Sequence, residues 1–158
     1  MKIGIYPGTF DPVTNGHLDI LTRASKLFDK IVVGVAVDSD KDTLFNIDER
    51  VAFIKDAVKD LPNVEVESFS GLLMHFTENK GAKVIIRGLR AVSDFEYEFQ
   101  LALMNKNLNE SVETLFLTTS SEYAFLSSTI IKSVVKLDGE IRGLVPEKVE
   151  LALKARYK

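Results

Sequence analysis

Short runs of β-branched and other apolar residues recur along this chain, separated by segments whose apolar residues follow a helical period. The clearest runs cover residues 2–6, 31–37, 64–67, 83–87 and 112–118. Between them, segments 16–28, 48–60, 72–80 and 94–108 are long enough for crossover helices, and segments 127–137 and 146–155 follow the last run. Residues 31–37 and 84–86 are apolar throughout, the pattern of strands covered by helices on both faces, and such strands pair in parallel. Right-handed crossovers then predict an α/β fold: a Rossmann-like, doubly wound, five-stranded parallel sheet in the order 3-2-1-4-5, with C-terminal helices. Ligands of such sheets sit beyond the carboxyl ends of the strands, where the order reverses. Segments 7–17, 38–41, 87–90 and 119–128 fall there and hold most of the residues able to do chemistry.

Composition narrows the function. With 158 residues and 46% hydrophobic content, the chain reads as a single domain over 1–158 with enough core to need no staples. Cysteine is absent, which excludes a disulfide framework, a thiolate zinc site and a cysteine nucleophile, and points to a reducing, cytoplasmic setting. A net charge of -3 offers no uniform basic field, so nucleic acid is not expected as a partner. No run approaches the ~20 apolar residues of a spanning helix, so neither a signal peptide nor a membrane contact is expected. Local spacing marks helix starts: Asn46 with Glu49 and Ser93 with Glu96 have capping-box spacing, and Pro146 suits a first helical position. The last helix is expected on the outside.

After the first run comes GTFDPVTNGH, residues 8–17. Gly8 allows a ligand close to the backbone, and Gly16 suits a backbone angle most residues resist. His17 falls at a helix amino terminus, where unpaired N–H groups and the positive end of the dipole attract phosphate and an imidazole can donate to an oxygen gaining charge. A capping histidine after a turn is the plain alternative. Neither GxxxxGK[ST] nor GxGxxG is present, so a P-loop and a dinucleotide fingerprint are excluded.

The loop resembles the first signature of the nucleotidyltransferase superfamily, in which H-x-G-H is commoner and Thr14 takes the place of the first histidine. With threonine there, it is similar to the phosphopantetheine adenylyltransferase family. IIRGLRAVSDFEYEFQLALMN (85–105) and EYAFLSSTIIK (122–132) extend the resemblance over nearly the whole chain. Carried over residue by residue, it implies catalytic roles for His17, Lys41 and Arg90, and acceptor binding by Thr9, Lys41, Leu73 and Arg87. It implies ATP binding by Thr9, Phe10, His17, Gly88, Leu89, Arg90, Glu98, Tyr123, Ala124, Phe125, Leu126, Ser127, Ser128 and Thr129. Lys41 lies in DSDKDTLF, where Asp42 and Thr43 depart from the family pattern. Tyr123 stands where enterobacterial forms often have tryptophan.

Each residue also has a plainer reading. Arg87 and Arg90 suit two phosphates, or else pair with carboxylates of a neighbouring helix. Residues 127–129 bind phosphate or simply cap a helix, with Tyr123 and Phe125 as core. Leu73 is a substrate contact or ordinary core, and His75 is structural. In segment 94–108, Phe95, Phe99, Ala102 and Leu103 form one apolar stripe and Tyr97, Leu101, Met104 and Leu108 another. One stripe should face the sheet and the other a second subunit; the family resemblance makes that assembly a homohexamer.

The implied reaction joins ATP and 4'-phosphopantetheine to give dephospho-coenzyme A and pyrophosphate. Its nucleophile is an already ionised phosphate, so no Ser-His-Asp array is needed, and none is found. Mg2+ should bridge substrate phosphates without a carboxylate cage, with no metal-binding residues of the chain's own, and coenzyme A is the expected feedback ligand. Two rival readings remain at this level. One is a cytidylyltransferase or nicotinamide-mononucleotide adenylyltransferase, for which H-x-G-H would be expected; the other is a nucleotide sensor without turnover.

Overall fold

The computed structural model describes residues 1–37 and 42–158, the side chains of Val92 and Ser93 apart. Its elements are β1 (Ile3–Gly8), α1 (Asn15–Ser25), β2 (Lys30–Ala36), α2 (Ile47–Ala57), β3 (Val64–Phe69), α3 (Leu73–Asn79), β4 (Val84–Leu89), α4 (Val92–Leu108), β5 (Glu113–Thr118), a 3-10 turn (Ser121–Tyr123), α5 (Ser128–Lys136) and α6 (Glu147–Arg156). The strands form one sheet in the order β3-β2-β1-β4-β5. Every pairing is parallel, with Ile5 of β1 opposite Val32 on one side and Ile85 on the other. This is the doubly wound arrangement expected from the apolar runs.

Successive strand residues point to opposite faces, so each strand feeds two cores. In β2, Ile31, Val33 and Val35 join a cluster with Ile20 and Leu21 of α1, Ile54 of α2 and Ile131 of α5, while Val32 joins Ile5, Ile85 and the α3 residues Met74 and Phe76 on the other face. α6 departs from expectation. Val149 and Leu153, one turn apart, are fully buried in the first cluster, so this helix is part of the core.

Helix starts follow local chemistry, with shifts of a residue. Asn46 caps α2 as its spacing predicts: its side chain accepts from Glu49 N–H at 2.8 Å, and Glu49 accepts from Asn46 N–H at 3.1 Å. α4 begins at Val92 with Ala91 at the cap, upstream of the expected Ser93 start, and Pro146 is the N-cap of α6 and not its first helical residue. β4 runs to Leu89, which puts Arg87 within the strand.

α4 differs most from its sequence pattern. Most of both apolar stripes is exposed, Tyr97 by 62%, Leu103 by 57% and Met104 by 56%, with Phe99, Leu101 and Leu108 exposed as well; of the first stripe, Phe95 meets Phe116 of β5 and Ala102 is half-buried. The least exposed side chains described on α4 are Glu98, which is buried, and the half-buried Asp94, Ala102, Asn105 and Lys106, most of them polar. Stripes read from spacing showed which residues share a face; they could not show that the sheet beneath offers Arg87, a partner for carboxylates. Asn46→Ala should cost about 1 kcal/mol through the lost α2 cap, read as a lower urea midpoint with unchanged slope; an unshifted midpoint would count against the cap.

Candidate active site

β1 pairs with β2 on one side and β4 on the other, so the crossovers leave toward opposite faces and the loops after β1 and β4 separate. Into that crevice the first loop delivers His17. Thr14 is the N-cap of α1, its hydroxyl oxygen accepting from His17 N–H at 3.4 Å, while Thr14 N–H donates to His17 Nδ1 at 2.9 Å. This is a capping box with histidine in the usual glutamate position. Because Nδ1 accepts, the neutral ring carries its proton on Nε2. Burial lowers the imidazole pKa to about 4, and the guanidiniums of Arg87 and Arg90 push the same way. Phe10 meets the ring edge-on, centroids 5.0 Å apart, and holds its plane. His17 is therefore an uncharged Nε2–H donor at neutral pH. The capping alternative and the functional one are the same geometry: capping sets the tautomer.

The strained backbone position in this loop is Phe10, with φ of 50°, and not Gly16, which lies inside α1. Packing does not demand glycine at 16 either, since a Cβ there would make ordinary van der Waals contacts, 3.4 Å from Thr14 Oγ1 and 3.6 Å from Tyr123 Cβ.

Arg87 reaches from β4 toward the first loop. Its Nη1 donates to Pro7 O at 3.0 Å, and its Nε and Nη2 grip the two oxygens of Glu98, each at 2.7 Å. Arg90, just past β4, donates from Nη1 to Leu126 O at 2.7 Å and from Nε to Asp94 at 2.9 Å. Both guanidiniums thus pair with α4 carboxylates, as the plainer reading anticipates. Arg87 also ties β4 to the carbonyl of Pro7 near the end of β1, and Arg90 ties the segment after β4 to the carbonyl of Leu126 after β5.

The last segment closes the crevice. Ser127 caps α5 by accepting from Ile130 N–H at 3.0 Å, and Ser128 Oγ donates to Pro12 O at 2.8 Å, bringing the amino end of α5 against the first loop. Leu126 is buried and Tyr123 packs on the core, but Phe125 is exposed, contrary to a core role, and so is Thr129. Ala124 is half-buried, as are Gly88 and Leu89 at the end of β4. Leu73 opens α3, beyond β3 and two strands from β1, packed on the second core cluster. His75 is exposed. Lys41 lies outside the described residues.

The chain's similarity to known proteins is extensive. The cytidylyltransferase-like family model matches residues 5–134. The phosphopantetheine adenylyltransferase of Moorella thermoacetica is 57% identical over 157 residues, covering 99% of this chain and 98% of its own. That of Clostridium tetani is 60% identical over 149 residues, covering 94% and 93%. This chain belongs to the phosphopantetheine adenylyltransferase family. The fold extends further: a Vibrio parahaemolyticus crystal structure described as a nicotinate-nucleotide adenylyltransferase aligns with a TM-score of 0.70, covering 97% of this chain and 99% of that one, at only 20% identity.

Two residues that hold the first loop of this chain in place escaped the sequence reading. Arg50 of α2, only 3% exposed, donates from Nη1 to Thr9 O at 2.9 Å and Ala36 O at 3.1 Å, and from Nε to Phe45 O at 3.1 Å. Buried Asp11 accepts from Leu44 N–H at 2.8 Å, Phe45 N–H at 2.9 Å and Lys132 Nζ at 2.9 Å. Together they bind the β2–α2 segment to the loop carrying Thr9. The available signal was Arg50 itself, a charge set at helical spacing between Ile47 and Ile54. Imidazole 15N spectra should show His17 with Nδ1 bare and Nε2 protonated at pH 7, protonating with a midpoint near 4. A midpoint above 6, or the opposite tautomer, would contradict this geometry.

Proposed function

We propose that this chain transfers the adenylyl group of ATP to 4'-phosphopantetheine, giving dephospho-coenzyme A and pyrophosphate, the penultimate step of coenzyme A synthesis. What supports it is the neutral imidazole of His17, capped through Nδ1 within electrostatic reach of Arg87 and Arg90, beside a first loop that also binds the amino end of α5. An acceptor phosphate oxygen forms a bond to the α-phosphorus of ATP as the bond to the β-bridging oxygen breaks, and pyrophosphate leaves with the electron pair. The attacking oxygen is already ionised, so no general base is required. What must be supplied is alignment of two polyanions and stabilisation of charge on the transferring centre and leaving group.

In this reading Thr9 donates to the attacking phosphate, Arg87 binds the acceptor, and Leu73 lines its pantetheine arm. His17 donates Nε2–H to the α-phosphate in the transition state, with Lys41 as the second catalytic cation. Arg90, the capped turn at 127–129 and the α5 amino terminus take the β- and γ-phosphates. Phe10, Gly88, Leu89 and residues 123–126 enclose the nucleotide. Being uncharged, His17 adds hydrogen bonding without trapping the ground-state polyanion, which favours the transition state over simple binding.

Mg2+ fits as an ion held through substrate oxygens and water. Asp11, Asp19, Asp94 and Glu98 are each engaged by the protein's own donors, and among the described residues no cluster of three or more His, Cys, Asp or Glu side chains forms a cage. When bound, the ion would neutralise phosphate charge. Among the described residues no helix is long and apolar enough to cross a membrane. We place the reaction in the cytoplasm, carried by residues 1–158 as one domain, without nucleic acid. Coenzyme A, sharing the product's two halves, is the feedback ligand expected in the same crevice.

Pyrophosphate release should require ATP together with 4'-phosphopantetheine. CTP with glycerol 3-phosphate, or ATP with nicotinamide mononucleotide, should release none, and turnover with either pair would replace this reading. His17→Ala should fold and bind ATP but lose roughly 100- to 1,000-fold in kcat; normal turnover would remove His17 from the mechanism.

The exposed apolar residues of α4 support a homo-oligomer, a homohexamer by family resemblance. Light scattering should give a mass several times that of one chain, reduced by Leu103→Lys with Met104→Lys. A monomer for the unaltered protein would refute the assembly.

A further inference from the structure

Arg50 is a cation buried beneath the first loop, 3% exposed, and among the described residues its guanidinium bonds only backbone carbonyls. One of these, Thr9 O at 2.9 Å, belongs to the peptide that joins Thr9 to Phe10. That peptide is trans, so its N–H points opposite to its C=O. Phe10 N–H is therefore aimed away from Arg50. Among the described residues no group accepts from it, although Phe10 is only 4% exposed. A buried backbone donor with no protein partner is rare, and a ligand oxygen is its natural acceptor. We propose that Arg50 is a positioning residue for the nucleotide: by holding Thr9 O it aims Phe10 N–H at a phosphate oxygen of ATP.

The peptide needs holding because Phe10 has φ of 50°, in the left-handed region that a bulky side chain resists. Rotation about its N–Cα bond toward an ordinary angle would swing the N–H off its aim. Two contacts oppose that rotation. The Phe10 ring is folded back on the strand end, where a Cβ on Gly8 would lie 3.0 Å from it, and Arg50 grips the far side of the peptide. The guanidinium is itself fixed, because Nη1 also donates to Ala36 O and Nε to Phe45 O, each at 3.1 Å. A lysine ammonium lacks the planar fork and cannot reproduce this set. Hydrogen bonds at the two ends of one peptide also strengthen each other, so a phosphate oxygen on Phe10 N–H tightens the Arg50 bond in turn.

This rests on the proposed adenylyl transfer, and the measurements separate the two. Wild-type enzyme, Arg50→Lys and Arg50→Gln are assayed for pyrophosphate release and titrated with ATP, by calorimetry and by NMR after 15N labelling of phenylalanine and arginine. In the wild type, ATP should move the Phe10 amide proton downfield and shift the Arg50 guanidinium resonances with it. In both variants the ATP dissociation constant should rise and kcat should fall by about tenfold each, the loss expected of one hydrogen bond to a charged group, with the Phe10 response to ATP cut by about half or more. A merely structural Arg50 would lower the melting temperature of the variants and leave ATP affinity, kcat and the Phe10 response of the folded protein unchanged. That result would overturn the inference, as would a wild-type Phe10 amide that ignores ATP. If neither variant melts cooperatively, the wild-type arginine spectrum decides: an Arg50 signal unmoved by saturating ATP overturns the link, and a shift together with Phe10 supports it. A wild-type protein that binds ATP with both shifts but shows no acceptor-dependent pyrophosphate release overturns the functional reading alone.

Discussion

Parallel pairing of β1 with both β2 and β4 is the constraint on which the site depends. A right-handed crossover from β1 to β2 and another returning to β4 must lie on opposite faces of the sheet. The loops leaving β1 and β4 cannot then cover each other, and a crevice opens between them. Backbone N–H groups at the start of α1 and α5 border it, so the fold supplies anion-binding potential before any side chain is considered. The side chains of His17, Arg87 and Arg90 add directed N–H groups to it.

Their refinement is restrained in charge. A crevice built to grip polyanions would be expected to present bare cations, yet Arg87 and Arg90 each carry an α4 carboxylate and His17 is neutral. What the side chains offer is directed N–H groups held by partners on separate elements. The carbonyls of Pro7 and Leu126 serve that end for the two arginines, and the Thr14 cap serves it for the imidazole. The same economy appears beneath the site, where buried Arg50 satisfies the carbonyls of Thr9 after β1, Ala36 at the end of β2 and Phe45 beyond it, and Asp11 ties two amides and a lysine. Leaving such groups unpaired inside the protein would cost more than their bonds contribute.

Much of this was legible in the chain. Strand order followed from apolar runs and handed crossovers, and the G-T-F-D-P-x-T-x-G-H loop, the two arginines and the 122–132 stretch identified the family. Periodicity failed where a face is defined by what lies opposite. α4 has two convincing apolar stripes and leaves most of both exposed, with only Phe95 and Ala102 of the first turned toward its own sheet, where Glu98 meets Arg87. α6 looked peripheral, yet Val149 and Leu153 complete the core. Gly16 looked like the conformationally special residue, and Phe10 holds that position.

Residue order alone determined the fold class, the site's place at the strand ends and the residue types gathered there, because hydrophobic period and chain handedness are local properties that act before contacts form. Tertiary structure alone decided which nitrogen of His17 carries the proton, which carboxylate holds Arg87 and that Arg50 supports the loop from below. Those outcomes depend on which groups the fold brings to hydrogen-bonding range, most of them distant along the chain, where burial makes an unpaired donor or acceptor costly.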